Sequence, residues 1–566
     1  MQTLIVTHTR KSKDTTATVK PPQTHAKMSS IRPRYALTLL AVYVLSTPTV
    51  TAYVNVKSAL PEPRKLKYLK EITGDICSKP TGELSDAMIA DSHRVMEGWS
   101  TTAFKTSSKE NAVAIENLVK RLVDEAEAGN VNANPTTKDY NCMLESWARS
   151  GEGIYAAERC EEILTKMETE YESGVSPQIR PNLSSFKIVL QAWKHAGGQD
   201  QSSFRAQLIL DLMSSLHEEG KNKLSQPDQM CFDTVLQSWS RNDHEQAPVF
   251  AERLLAKMET MRLESTAIVP LVQPRTVSFN AVLGAWGRAP LSSSAPSAFA
   301  SDDSSTSWQR SCDILHFMEK LYYVEGDTMV EPDRVSYSLV LRNLARHKND
   351  ESAAPKADEI LRFVEKKFKN GDLSWRPDTL LFNTVMGCWS HSHLKGSYRK
   401  ARGILDRQVN LFKSMEGKAG SDDCRPDVYG YTTVLSSCAS EPGNDKDRAK
   451  AFNVARATYI QLISNRDQYG SANHVTYGTM LKCVSKLLPH NSPERKKWTK
   501  KVFNQAAASG CVGGMVLGRL RESTSTAKEY KALLNGHTAK KLPAKWTRNV
   551  NEKFPYRRRS GKRAEV

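Results

Sequence analysis

Within residues 379–391 the apolar side chains fall at Phe382, Val385, Met386 and Trp389, offsets of 0, 3, 4 and 7. A helix turns by roughly 100° per residue, so these four share one stripe, whereas a strand would need strict alternation. The same offsets run from Phe186 to Val189, Leu190 and Trp193, and from Phe279 to Val282, Leu283 and Trp286. A second amphipathic stretch follows the first, at 156–171, 247–261, 311–324 and 354–368. The pattern predicts helical hairpins, and therefore an all-α chain.

The aromatic that opens each stripe recurs at Tyr140, Phe186, Phe232, Phe279, Tyr337, Phe382, Tyr431 and Tyr477, spaced by 45–49 residues with one gap of 58. Proline precedes it at 135, 181, 227, 274, 332, 377 and 426, where a fixed φ and a missing N–H suit entry into a helix and would break its interior. The low-complexity insert PLSSSAPSAFASDDSSTS at 290–307 accounts for the long gap. A hairpin of this size cannot bury its apolar face alone, so neighbours must stack into a repeat array, a solenoid with a distributed core. The division expected is a presequence and linker at 1–79, a degenerate leading repeat at 80–134 with Trp99 at the tryptophan position, eight hairpins at 135–520 and an extension at 521–566. Residues 496–508 supply the second helix of the last unit, and 542–550 pack on it or trail from it.

The recurring phrase is RPDTLLFNTVMGCWS at 376–390, QPDQMCFDTVLQSWS at 226–240 and VQPRTVSFNAVLGAWG at 272–287. No copy carries the Trp-Leu-Gly-Tyr pattern of tetratricopeptide units. The phrase resembles the first helix of a pentatricopeptide repeat, of the type with elongated units, over roughly residues 80–520. That resemblance implies a right-handed superhelix of helical hairpins binding single-stranded RNA, one base per unit.

In that family the base is read by the residue after the aromatic and by the last residue of the repeat, which follows the next proline. The pairs carried over by position are Asn141 with Asn182, Asn280 with Asp333, Ser338 with Asp378, Asn383 with Asp427, and Thr432 with Asn473. Residues two before the aromatic, Val277, Val335, Leu380, Tyr429 and Val475, would clamp the bases from both sides. Units four to seven would then prefer U, G, U and A, and unit one a pyrimidine. Lys187 with Asp228 and Asp233 with Arg275 depart from the family's combinations, and Gly478 offers no side chain. Short amides and hydroxyls can serve a base edge whatever the family rule. The competing reading is that these residues only cap helices, and it extends to His93, at the reader position of the leading repeat.

Some members of the family carry a zinc deaminase tail, but this chain contains no Cys-x-x-Cys. The residues after 520 are too few for an appended metallonuclease. His391 and His393 in SHSHLKG suit solvent-facing positions better than metal ligation. No active site, metal or cofactor is expected. The main expectation is an organellar RNA-binding protein, with RNA-processing proteins as further partners. The alternative is a helical scaffold for a protein partner in an organellar ribosome or RNA-processing complex.

Charge changes this picture less than the formal +18 suggests. Residues 1–70 hold twelve Lys and Arg against Asp14 and Glu62, and residues 540–566 hold ten against Glu552 and Glu565, so the ends carry the whole excess. Any attraction for phosphate within the array must be local. The tail, with Trp546, Phe554, Tyr556 and Arg557–Arg559, fits either phosphate contacts or a solvated end. From Met28 a basic start, an apolar run from Ala36 to Leu45 and a small-residue site at Val50-Thr51-Ala52 read as a signal-like segment. The run is too short to span a bilayer comfortably, so no stable membrane association is expected of the mature form. Ten scattered cysteines show no disulfide-like spacing. With Tyr53 and the basic stretch 57–70, the leader resembles a two-part plastid presequence, and a mitochondrial one beginning at Met1 is the alternative.

Overall fold

The computed structural model describes residues 62–106, 109–197, 200–265, 271–289, 306–348, 350–539 and 541–550. The signal-like segment, nearly all of the 290–307 insert and the tail from residue 551 lie outside the described residues. Among the described residues, those up to Ile72 belong to one unit and those from Thr73 onward to a second, and every repeat lies in the second.

The described residues form helices and no strand, apart from one isolated bridge, Thr538–Lys541. After α1 (Glu62–Ser78) comes a leading hairpin, α2 (Asp86–Thr106) and α3 (Lys109–Glu127). Units one to four are α4 (Thr137–Ala148) with α5 (Ile154–Glu172), α6 (Leu183–His195) with α7 (Asp200–Glu218), α8 (Gln229–Trp239) with α9 (Ala247–Glu264), and α10 (Thr276–Trp286) with α11 (Ser307–Tyr323). Units five and six are α12 (Arg334–Arg346) with α13 (Ala353–Lys369) and α14 (Thr379–His391) with α15 (Ser397–Ser414). In unit seven α16 (Val428–Ala439) pairs with α17 (Asp445–Ser464), and the short α18 (Arg466–Tyr469) follows. Unit eight is α19 (His474–Leu487) with α20 (Pro493–Ala508), and α21 (Gly514–Ser523), α22 (Ala527–Leu533) and α23 (Ala544–Thr547) end the helices.

Each first helix packs against the first helices before and after it, and also against its own second helix and that of the preceding unit. The first helices therefore make one continuous row, and the second helices back them. The sequence stripe explains the choice of face. Phe382, Val385 and Met386 are fully buried and Trp389 nearly so, and the corresponding residues of the other units are equally enclosed. Fully burying one such side chain stabilises by about 1.5–3 kcal/mol. Because every stripe touches two neighbouring units, the gain is shared along the array.

The junctions between units repeat one local solution. A second helix ends at a glycine in the left-handed region, such as Gly220 (φ +73°) or Gly371 (φ +101°), a conformation that costs a side-chain-bearing residue more. A short 3-10 turn follows, started by an Asn or Asp such as Asn222 or Asp372, whose side chain accepts from the backbone two residues on. The next first helix has as its N-cap Asn182, Asp228, Asp333, Asp378, Asp427 or Asn473, each accepting a backbone N–H of the first turn. Proline occupies the position just before the cap in all of these but the last, where Ala472 stands.

At the carboxyl end α21 packs on α19 as a further first helix would, so the helical packing runs past residue 520. Residues 542–550 pack on the last hairpin. Val512 N–H donates to the Trp546 carbonyl (2.8 Å), Asn549 N–H donates to the Gly510 carbonyl (2.9 Å), and Trp546 meets Phe503 edge to face. None of the described helices is long and apolar enough to cross a membrane. All ten cysteines are free thiols, most of them buried, and burial pushes those of Cys160, Cys388 and Cys483 up to about 12. They act as packing residues.

Candidate nucleic-acid interface

Three positions recur at fixed offsets from the aromatic, −2, +1 and +9. The first two are one turn apart on the same helix face, and the third stands in the last turn of the first helix or, as with Arg149, Arg241, Arg288 and Ser440, just past its end.

At −2 the side chains are Lys138 and Ser184 in units one and two and apolar from unit three onward. Val277 (52%), Val335 (50%), Leu380 (64%) and Tyr429 (64%) repeat in consecutive units, and Val475 is half-buried. Met230 extends the stripe into unit three at 48% exposure, although the five expected clamps begin only at unit four. Isolated exposed apolar residues are ordinary, but one position exposed in five successive units is not explained by packing.

At +1 lie the sequence-derived readers, and the partner of each is the N-cap of the next first helix. Three of the five pairs are bonded directly. The Asn141 amide donates to Asn182 Oδ1 (3.4 Å), Asn280 to Asp333 Oδ1 (3.2 Å) and Asn383 to Asp427 Oδ1 (3.1 Å). Ser338 instead donates to the Arg334 carbonyl (2.7 Å), while Asp378 Oδ2 pairs with Arg334 (3.0 Å). Thr432 bonds the Val428 carbonyl (2.7 Å) and the Thr476 hydroxyl (2.9 Å), and Asn473, besides capping its helix, accepts from that Thr476 hydroxyl (3.2 Å) and has no direct bond to Thr432. Capping is thus real but falls on the second member of each pair, since the first lies inside the helix. His93 likewise lies inside α2 and is no cap. Its ring bonds Asp139 (2.8 Å), and that bond, against burial, raises the His93 pKa.

The departures are equally well formed. Lys187 makes an ion pair with Asp228 (2.5 Å), and Arg275 pairs with Asp233 (2.5 Å), which also accepts from Ser278 (2.7 Å) and Gln229 (3.1 Å). Burial works to raise the Asp228 pKa, but hydrogen bonds from Lys187 and Cys231 outweigh it and leave the carboxyl below its usual range. Gly478 is buried beneath Met515, whose Cγ would lie 3.0 Å from any added Cβ. The row of readers ends there.

At +9 stand Arg149, His195, Arg241, Arg288, Arg346, His391 and Lys486, a basic residue in seven of eight units, with Ser440 the exception. His195, Arg241, Arg288, His391 and Lys486 are exposed. Arg149 bonds Glu145 (3.2 Å), Arg288 lies 3.9 Å from Asp243, Arg346 donates to the Gly287 carbonyl, and His391 bonds the Gly387 carbonyl (2.8 Å). Burial, then the charge of Arg241 in the next unit, lowers the Lys194 pKa. This row was legible in the sequence at a fixed offset from the aromatic, and net charge hid it. His391 and His393 join no cluster of metal-ligating residues among the described residues.

Units three to seven thus offer an apolar residue and a polar pair, and five of the eight units place an Arg or Lys at +9, whereas burial lowers the pKa of His195 and of His391 and so disfavours their charged forms. Against known protein families and against curated proteins, the chain has no match.

Proposed function

We propose that the chain is a non-catalytic, sequence-specific single-stranded RNA-binding protein of pentatricopeptide type, a solenoid that accepts one base per unit along its row of first helices. The observation that carries the reading is the polar pair at the junctions that follow units three to six, bracketed by the exposed apolar residues Met230, Val277, Val335, Leu380 and Tyr429 of successive units. A base is a flat apolar disc with a polar edge. Stacked between Val335 and Leu380, or Leu380 and Tyr429, it would offer that edge to the pair between them. Arg149, Arg241, Arg288, Arg346 and Lys486, at the far ends of their first helices, support backbone contacts, which hold register without reading sequence. The signal-like segment and basic stretch support delivery to an organelle, a plastid before a mitochondrion, where such a protein would act in RNA processing, stabilisation or translation.

By the family's pairing, units four to seven take U, G, U and A, and Asp378→Asn at unit five moves the preference from G toward A by about 1 kcal/mol, one base-edge hydrogen bond changing hands. Gel-shift titrations of both proteins against oligonucleotides carrying UGUA or UAUA, at one fixed salt concentration, measure it. Equal loss of affinity for both RNAs would reduce Asp378 to a helix cap. Absence of RNA binding by the unmodified chain would favour the protein scaffold instead.

A further inference from the structure

We infer that the third residue of a first helix, where it bonds or crowds the reader of the preceding unit, is a positioning residue for that reader, and so fixes which of its atoms are left for a base. The inference rests on the RNA-reading function proposed above. These third residues are Asp139, Ser185, Cys231, Ser278, Ser336, Leu381, Gly430 and Thr476.

Four of them bond the preceding reader. Ser185 donates to Asn141 Oδ1 (2.6 Å) and Ser278 to Asp233 Oδ1 (2.7 Å); the Thr476 and Thr432 hydroxyls are 2.9 Å apart, and Asp139 holds His93 (2.8 Å). In unit one the consequence is definite. With Oδ1 held by Ser185, the Asn141 amide nitrogen faces Asn182 Oδ1, and a flip would set oxygen against oxygen. One acceptor site of the Asn141 oxygen is thereby taken.

Units four and six differ. Ser336 bonds Asp333 Oδ1 (2.9 Å), and the oxygen of Asn280 is enclosed without a hydrogen-bond partner. Facing the reader of unit six is Gly430, the third residue of α16 in unit seven, and Asn383, only 6% exposed, likewise keeps an enclosed and unpartnered Oδ1. A Cβ at Gly430 would lie 2.6 Å from that oxygen and 3.0 Å from Met386 Cε, so glycine is what lets the amide lie where it does. An enclosed acceptor without a donor is costly, and a base carrying an imide N–H, uracil or guanine, supplies one when the side chain turns to meet it. After unit five this place, in α14 of unit six, is held by Leu381, and the unit-five reader Ser338 turns back to its own helix.

The test uses the full chain and a single-stranded RNA pool randomised over ten nucleotides, with the bound fraction sequenced. Ser185→Ala frees the Asn141 oxygen, and the base opposite unit one should shift toward U and G by roughly fivefold, the worth of one hydrogen bond. Ser185→Thr should restore the original preference. Gly430→Ala displaces the Asn383 amide and should weaken selection opposite unit six by a similar factor, with the other positions unchanged. An unchanged pattern in both Ala variants, or a uniform loss of binding with no change at a single position, overturns the inference. If the unmodified chain selects no pattern, the RNA reading itself fails, and the inference falls with it.

Discussion

Units two and three, set beside units four and six, share a helix plan but differ in what they place at the junction. In the first region, ion pairs of 2.5 Å join Lys187 to Asp228 and Arg275 to Asp233. In the second, Asn280 and Asn383 donate to Asp333 and Asp427 through bonds of 3.2 and 3.1 Å, and keep an oxygen unclaimed. A charged pair answers its own needs within the protein; an amide beside a capping carboxylate leaves an acceptor over. The same position can therefore close one unit and open another, with no change in the helices that carry it.

The largest test of this comparison concerns what the two regions share. Phe232 and Phe382 are both fully buried, so Phe232→Ala and Phe382→Ala should each cost about 3–5 kcal/mol, read from urea unfolding. Similar losses confine the difference to the junction, and a loss in one variant only would place it in the core. A smaller effect comes from converting one region into the other. Lys187→Asn removes a half-exposed ion pair worth at most about 1 kcal/mol and leaves Asp228 to cap α8. Unit two should then gain selectivity of about 1 kcal/mol at its own base, measured with RNAs differing at that nucleotide. No gain would mean that an open acceptor is not sufficient.

The smallest effect is on pH dependence. The Asp228 carboxyl is depressed in the folded chain, so its contribution is present above the ordinary value near 3.8 and is lost as pH falls through the folded-state value. The gap in thermal midpoint between the unmodified chain and Lys187→Met should hold at neutral pH and close below about pH 4. A gap that persists in acid would show that Lys187 stabilises by packing alone.

By itself the sequence determined the period, the helical hairpins, the buried stripe and the positions of the residues that follow the aromatic and begin the next helix, because each depends on local spacing. An aromatic followed at 3, 4 and 7 must share one helix face, and Pro followed by Asp or Asn starts the next helix wherever it occurs. Only the tertiary structure decided which pairs bond. Asn383 meets Asp427 across 44 residues, whereas Ser338 turns back to Arg334 beside an Asp378 already engaged. It also decided that Met515 closes Gly478 and that Gly430 makes room for Asn383. These outcomes depend on the distance between adjacent helices and on the direction of each side chain, and packing sets both across a junction that no single window of sequence contains.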